Sequence, residues 1–91
     1  MVFDWDADKA KANLAKHGVA FEAVEDFDIS TAVEVIDSRV AYGEERRRAI
    51  GFIGHRLHVL IFTRRGGRTR VISLRRANAR ERKVYDQAKA R

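Results

Sequence analysis

The chain has 91 residues, which is enough for one domain with a single hydrophobic core, and it contains neither cysteine nor proline. The lack of cysteine excludes a disulfide framework and fits a cytoplasmic protein. The apolar run at residues 59–62 is far too short to span a membrane, and residues 1–9 are acidic where a secretory signal would be basic. We therefore expect no contact with a membrane.

The net charge of +6 is divided unevenly along the chain. Residues 1–38 hold three lysines against nine acidic residues, a net charge of −6, whereas residues 39–91 hold sixteen basic residues against four acidic ones, a net charge of +12. Most of these basic residues are arginines, whose planar guanidinium matches phosphate oxygens. Because solubility alone does not require charge on one half of a chain, the distribution favours a nucleic acid or another polyanion as the partner.

Two short helices are expected at the start of the chain. Residues 7–17 are rich in alanine and lysine, with Asp6 placed to cap the helix and Gly18 placed to end it in the left-handed conformation. A second helix over about residues 21–27 would bury its two phenylalanines and its valine. Before them, residues 2–3 are either a short strand or a hydrophobic plug.

Four strands are expected next, and the last two pair as a hairpin over residues 56–76. Gly66 and Gly67, in the connection of this hairpin, adopt positive φ angles at little cost. A polar turn over residues 38–43 separates the first two strands. The four strands are expected at residues 33–37, 45–53, 57–63 and 71–74.

The last helix is expected to begin at Asn78, because Asn78 and Glu81 have the spacing of a capping box. We expect it to continue to about residue 89 and to turn Val84, Tyr85 and Ala88 toward the core.

Together these elements predict one α+β domain over residues 1–91, with two N-terminal helices, a four-stranded antiparallel sheet and a C-terminal helix. We expect the helices to cover one face of the sheet and to leave the other face for a partner.

Several sequence segments together resemble the BrnT family of small toxins from type II toxin–antitoxin pairs. The resemblance covers nearly the whole chain, and it implies a RelE-like fold. It also implies a ribonuclease that uses neither a metal nor another cofactor and that inhibits translation by cleaving RNA. The partner that it implies is a ribbon-helix-helix antitoxin of the BrnA type, whose complex with the toxin binds operator DNA. The segments are FDWD (3–6), K-x-x-x-N-x-x-KHG-V-x-F (9–21), EER-x-x-x-IG (44–51), TRR (63–65), R-V-I-S-x-R-x-A (70–77) and ER-x-x-Y (81–85).

Metal-independent cleavage of RNA needs a base for the ribose 2′-OH, a cation for the phosphorane and an acid for the 5′-oxygen. Arg64 and Arg75 both fall in the motifs, and we expect them to stabilise the phosphate. The two ends of an antiparallel hairpin are not adjacent, so a shared site requires sheet twist or a strand between them. Glu45 is the candidate base, although a carboxylate among arginines is more often a salt-bridge partner.

Further basic side chains are expected to bind RNA phosphates, although solvated surface charges would have the same pattern. His17 is expected to interact with the dipole at the end of the first helix, and His58 to be a buried histidine of the sheet. The predicted phosphate-binding residues are Lys16, Arg46, Arg68, Arg70, Arg76, Arg80 and Arg82.

Two other classes of function fit the same pattern. One is a toxin of this kind of fold that acts by protein contact without cleaving RNA, and the other is a nucleic-acid-binding module without catalysis. The sequence contains no P-loop, no Rossmann glycine pattern and no Cys/His metal spacing. The ribonuclease toxin is the function that the motifs favour.

Overall fold

The computed structural model describes residues 2–41 and 44–90, with side chains described outside residues 36–45. Its order of elements confirms the predicted α+β class and is the RelE-like arrangement that the resemblance implies. The elements are β1 (Phe3–Asp4), α1 (Ala7–His17), a 3-10 helix (Phe21–Asp26), a second 3-10 helix (Ile29–Thr31), β2 (Val33–Ala41), β3 (Glu44–Ile53), β4 (Arg56–Arg65), β5 (Arg68–Arg76) and α2 (Ala79–Lys89).

The sheet has five strands in the order β1-β5-β4-β3-β2, one more than the sequence predicted. The additional strand is β1, which runs parallel to β5 and pairs Phe3 with Thr69. The other pairs are antiparallel, and the β4–β5 hairpin turns on Gly66 and Gly67 alone, with Arg65 facing Arg68. Both glycines have positive φ angles, 53° and 79°, as a two-residue turn that continues the strand twist requires.

The second and third strands are longer than predicted. β2 continues to Ala41 rather than ending near residue 37, so much of the predicted turn over residues 38–43 is strand. Residues 42 and 43 themselves lie outside the described residues. Along β3 the arginines are half-buried, residues 49–51 are buried and the last two residues are half-buried, which confirms a strand that enters the core from solvent.

The N-terminal helix has the predicted ends. The Asp6 side chain accepts a hydrogen bond from the backbone N–H of Lys9 at 3.0 Å, and Gly18 ends the helix with φ 71°. The predicted second helix is a 3-10 helix, which still buries Phe21 and Val24. Its aromatic residue Phe21 packs edge to face with Trp5, with ring centroids 6.0 Å apart.

Helices lie on both faces of the sheet, so the prediction that they cover one face is wrong. α1 and the first 3-10 helix pack against one face, which we call the α1 face. On the opposite, α2 face, Tyr85 of α2 packs edge to face with Phe52 and belongs to one cluster with Val59. β3 and β4 have apolar side chains on both faces of the sheet. Each face must therefore be covered by another element. α2 covers only the end of the α2 face where β4 begins.

The C-terminal helix has the predicted capping box, but only part of its predicted inward face is correct. Tyr85 is buried, whereas Val84 and Ala88 are exposed. The second buried residue is Glu81, one turn before Tyr85 on the same side of the helix. Of the helices in the described part of the chain, none is long and apolar enough to cross a lipid bilayer.

Asn13 of α1 closes the open edge of β5 beyond its short pairing with β1. Its side-chain Nδ2 donates to the carbonyls of Val19 at 3.0 Å and Leu74 at 2.7 Å, and the Leu74 N–H donates to Oδ1 at 3.3 Å. The amide therefore takes the place of a neighbouring peptide group for Leu74, which is buried and needs these hydrogen bonds.

We expect Asn13→Ala to destabilise the fold by about 1–3 kcal/mol, because it leaves buried backbone groups without partners. The free energy of unfolding from urea denaturation measures this cost. Lys11→Ala, on the exposed side of the same helix, is the control and should change stability by less than about 0.5 kcal/mol. Equal effects of the two substitutions would contradict the role given to Asn13.

Candidate functional site

Among the described side chains, six arginines share the α2 face of the sheet. Cross-strand partners lie on the same face and successive residues lie on opposite faces, so the strand register identifies them. Val59, in the same cluster as Tyr85 of α2, pairs with Arg75, while Ile61 pairs with Arg48. Closer to the hairpin turn, Thr63 pairs with Arg70 and Arg65 pairs with Arg68 on the same face. We call this surface the basic face, and its arginines are Arg46, Arg48, Arg65, Arg68, Arg70 and Arg75.

A β-bulge places Arg75 on this face. Phe62 pairs with Val71, whereas Ile61 pairs with Ser73, so one extra residue, Ile72, is inserted in β5. Without this insertion every later residue of β5 would lie on the other face. The bulge therefore turns Arg75 to the basic face and Leu74 into the core of the α1 face.

Glu81 of α2 holds Arg75 through two parallel hydrogen bonds. Nη1 of Arg75 donates to Oε1 at 2.8 Å and Nη2 donates to Oε2 at 2.6 Å, the bidentate geometry of a strong charge-assisted pair. The Glu81 side chain is 8% exposed and that of Arg75 is 25% exposed. Nη1 of Arg48 lies 3.9 Å from Oε2 of Glu81, so this carboxylate attracts two arginines.

Glu81 also completes the cap of α2. Its Oε1 accepts the backbone N–H of Asn78 at 2.9 Å, and the Asn78 side chain accepts the N–H of Glu81 at 2.8 Å. The hydrogen bonds from Arg75 lower the pKa of Glu81, and they outweigh the opposing effect of burial. The same contact raises the pKa of Arg75. Glu81 is therefore an ionised carboxylate that orients its partners, and it is not poised to accept a proton.

At the other end of the basic face, Asp4 of β1 lies near two arginines. Its carboxylate oxygens are 3.5 Å from Nη1 of Arg70 and 3.9 Å from Nη1 of Arg68. The Arg68 side chain is mostly exposed. Weak contacts of this kind leave both guanidinium groups with hydrogens to donate to phosphate oxygens.

The structure does not bring Arg64 and Arg75 into one site. Arg64 lies on the α1 face, with its guanidinium 5.7 Å from the centroid of the Phe62 ring. Arg75 pairs with Val59, which is five residues from Arg64 along β4. This corresponds to about 17 Å along the strand. Arg76, the next residue of β5, pairs with His58 and is exposed on the α1 face.

Lys16 and His17 lie in a cleft of about 280 Å³ between the end of α1 and the edge of β5, with Lys9 and Ser73 also in its lining. Burial lowers the pKa of His17, and the charges of Lys16 and Arg75 lower it further. The neutral imidazole is therefore favoured near pH 7, although the helix end alone would favour the charged form.

The remaining predicted residues are distributed over other surfaces. Arg80 lines a cleft beside the basic face, whereas Arg82 lies 6.0 Å from the Phe52 ring and 3.8 Å from Asp86. Glu45 is part of β3, but its side chain lies outside the described residues. His58 is buried, with Nδ1 2.9 Å from the carbonyl of Arg56, which confirms a histidine that belongs to the sheet.

Sequence reasoning missed the arrangement around Glu81 and the position of Arg48. Glu81 was identified only as a helix cap, yet its i, i+4 spacing from Tyr85 already places it on the inward side of α2. An acidic residue on an apolar helix face requires a cationic partner, and this signal could have pointed to an arginine of the sheet. In the described part of the chain, no three His, Cys, Asp or Glu side chains cluster closely enough to hold a metal ion.

We expect Glu81→Gln to lower the free energy of unfolding by about 1–3 kcal/mol at pH 7, because glutamine keeps the cap but loses the charge that pairs with Arg75. Folding lowers the Glu81 pKa below its ordinary value of 4.5, so the ion pair contributes fully above that pH. The difference between variant and wild type should shrink as the pH falls through the lowered pKa. Urea denaturation at several pH values measures it.

Asp86→Asn is the control for this series, because Asp86 and Arg82 form an exposed pair on the same helix. It should cost less than about 0.5 kcal/mol. A Glu81→Gln difference that stays constant from neutral to acidic pH would mean that packing, and not charge, carries the contribution of Glu81.

Residues 5–81 match the sequence model of one protein family, which is described as ribonuclease toxin, BrnT, of type II toxin–antitoxin system. A search of curated proteins found no match.

Proposed function

The chain belongs to the BrnT family of ribonuclease toxins of type II toxin–antitoxin systems, and from this premise we propose that the basic face is the surface on which it cleaves RNA. Arg75 stabilises the negative charge that develops on the phosphate, and Glu81 is the positioning residue that fixes Arg75. Arg46, Arg68 and Arg70 bind the phosphates of the neighbouring nucleotides.

The observation that carries this proposal is the bidentate contact between Arg75 and the buried Glu81 carboxylate. A guanidinium held in place before the substrate binds does not have to reorganise during the reaction, which is how charge stabilisation becomes catalytic. Arg75 uses two of its five N–H groups for Glu81 and directs one toward the carbonyl of Arg76 at 3.3 Å. The remaining N–H groups donate to the phosphate.

The cleavage proceeds without a metal. A protein base takes the proton of the ribose 2′-OH, the 2′-oxygen attacks the phosphorus, and the P–O5′ bond breaks as the 5′-oxygen takes a proton from the conjugate acid of the base or from water. Glu45, at the start of β3, is the base proposed from the sequence. His17 is the alternative base, because it shares a cleft with Ser73, which lies on the basic face, and its lowered pKa favours the neutral imidazole. Glu81 is excluded from this role by its lowered pKa.

We expect Arg75→Lys to slow single-turnover cleavage by roughly ten- to a thousand-fold, because lysine keeps the charge but loses the fork that contacts the phosphate. RNA affinity should change much less. Arg70→Lys should instead weaken binding and leave cleavage at saturating protein nearly intact. The measurement is single-turnover cleavage beside an affinity titration, with and without a chelator.

Arg56→Lys, the same substitution in the exposed start of β4, is the matched control. Arg64→Lys tests whether Arg64 also takes part in catalysis, as the sequence predicted. Because Arg64 lies on the α1 face, a large loss of cleavage rate would mean that this face contributes to the reaction. In the same assay Glu45→Gln and His17→Asn identify the base, as only the variant lacking it loses the acidic limb of the pH–rate profile. Parallel loss of binding and cleavage at Arg75 and Arg70 would contradict a specific catalytic role for Arg75.

A type II toxin has a cognate antitoxin, and the partner proposed here is a ribbon-helix-helix protein of the BrnA type. An acidic segment of the antitoxin covers the basic face and thereby blocks RNA, and the complex binds operator DNA through the antitoxin. The positive charge of the basic face supports this arrangement, because an acidic segment is complementary to it. The complex forms in the cytoplasm, where both RNA and operator DNA are found.

The association rate of toxin and antitoxin should fall steeply with added salt, because screening weakens the steering of opposite charges. Stopped-flow mixing of the two proteins over a range of ionic strengths measures it. Replacing Arg46 and Arg70 by glutamine should flatten the dependence, while Arg56→Gln serves as the control. A rate that is independent of salt for the wild type would contradict an electrostatic interface.

A further inference from the structure

A cleft of about 320 Å³ lies between the beginning of α2 and strands β2 and β3, beside the Arg75–Glu81 pair. Its apolar lining includes Val35 and Val84, which are 37% and 42% exposed and among the most exposed large apolar residues of the described chain. The full lining consists of Val35, Arg48, Ile50, Asn78, Arg80, Glu81 and Val84.

The polar groups of this cleft are mainly hydrogen-bond donors. Both oxygens of Glu81 are occupied by Arg75, and one of them also accepts the N–H of Asn78. The Asn78 Oδ1 accepts the N–H of Glu81, which leaves its Nδ2 amide to donate. Arg48 and Arg80 have only donors.

Arg48 has unused hydrogen-bonding capacity. Its Nε is buried and has no hydrogen-bond partner among the described residues, and its Nη1 approaches Glu81 only to 3.9 Å. Buried donors in native proteins are nearly always paired. A ligand in the cleft that carries acceptors would provide the missing partner after a small shift of the side chain.

We propose that this cleft binds one unpaired base of the RNA substrate and prefers a base with acceptors on its exposed edge, guanine or uracil, over adenine or cytosine. Guanine presents O6 and uracil presents O4 where adenine and cytosine present an amino group, and guanine adds the acceptor N7, which adenine shares. Single-stranded RNA is recognised through such splayed bases, which contact apolar walls with their faces and donors with their edges. The inference rests on the proposed function, because the strand must cross the basic face for a base to enter.

The position and charge of the cleft favour a nucleotide over a protein segment. Arg48 belongs to the basic face itself, and Glu81 is shared between the cleft and Arg75, so base and scissile phosphate would lie on adjoining surfaces. The volume is that of a site for a small ligand. The apolar side chains of Val35, Ile50 and Val84 can contact the faces of a planar base, and these contacts need no hydrogen-bond acceptor from the protein.

The first test measures kcat/KM for oligonucleotides that vary one base at a time around the cleavage site. One position should favour guanine or uracil over adenine or cytosine by roughly 5- to 100-fold, the discrimination of one good bidentate contact. Replacing guanine there by 7-deazaguanine, which lacks N7, should remove part of the preference. Arg48→Lys and Val84→Phe should both reduce the ratio, because one removes the fork and the other fills the cleft.

Leu14→Phe is the matched control, since Leu14 is an exposed aliphatic residue of the other helix and is 51% exposed. It should leave the ratio unchanged. The proposal is overturned if both cleft variants keep the wild-type ratio. If they keep it and instead bind the antitoxin more weakly, the cleft is a docking site for protein.

The second test does not depend on cleavage. Titration of the wild-type chain with GMP and UMP should shift the methyl NMR signals of Val35, Ile50 and Val84, whereas AMP and CMP should shift them much less. If the wild type cleaves no RNA but shows these selective shifts, the proposed function fails and the base cleft remains. Equal shifts with all four nucleotides, or none with any, would overturn the cleft proposal while leaving RNA cleavage to be judged by its own assay.

Discussion

The ion pair between Glu81 and Arg75 joins the C-terminal helix to the basic face of the sheet. A buried carboxylate costs several kcal/mol unless its charge and lone pairs are satisfied. Here two N–H groups of Arg75 and the backbone N–H of Asn78 satisfy them, with Arg48 nearby. The same side chain therefore begins α2, seats it on the sheet and fixes the direction of Arg75. Removing one partner would leave the charge of the other uncompensated. The position of α2 and the orientation of Arg75 therefore depend on the same ion pair.

The incomplete cover of the α2 face creates the open surface. Because β3 and β4 are apolar on both faces, the fold needs a helix on each side. α1 and the first 3-10 helix close one face around a core that includes Phe21 and Leu60, whereas α2 covers only the Val59 end of the other. The uncovered part of the α2 face carries the arginines.

Local signals in the sequence predicted the helices and strands, whereas the pairing register between strands determines on which face of the sheet each side chain lies. Asp6, Gly18 and the Asn78–Glu81 capping box act within a few residues, and the structure confirms all of them. The face on which an arginine lies depends on cross-strand pairing, which no local pattern of β5 reveals. Arg64 and Arg75 are alike in type and in motif context. A single inserted residue at Ile72 separates them, because it moves Arg75 to the face opposite Arg64.

The bulge at Ile72 also explains why core and site cannot be altered independently along β5. Removing the extra residue would turn Leu74 out of the α1 face, and Asn13, which bonds both backbone groups of Leu74, would lose its partner. The same change of register would turn Arg75 away from Glu81 and leave the Glu81 carboxylate without this partner at the beginning of α2. Each of these contacts favours the same register, so the sheet edge, the core and the ion pair together specify the position of the bulge. The orientation of Arg75 is therefore held by contacts on both faces of the sheet.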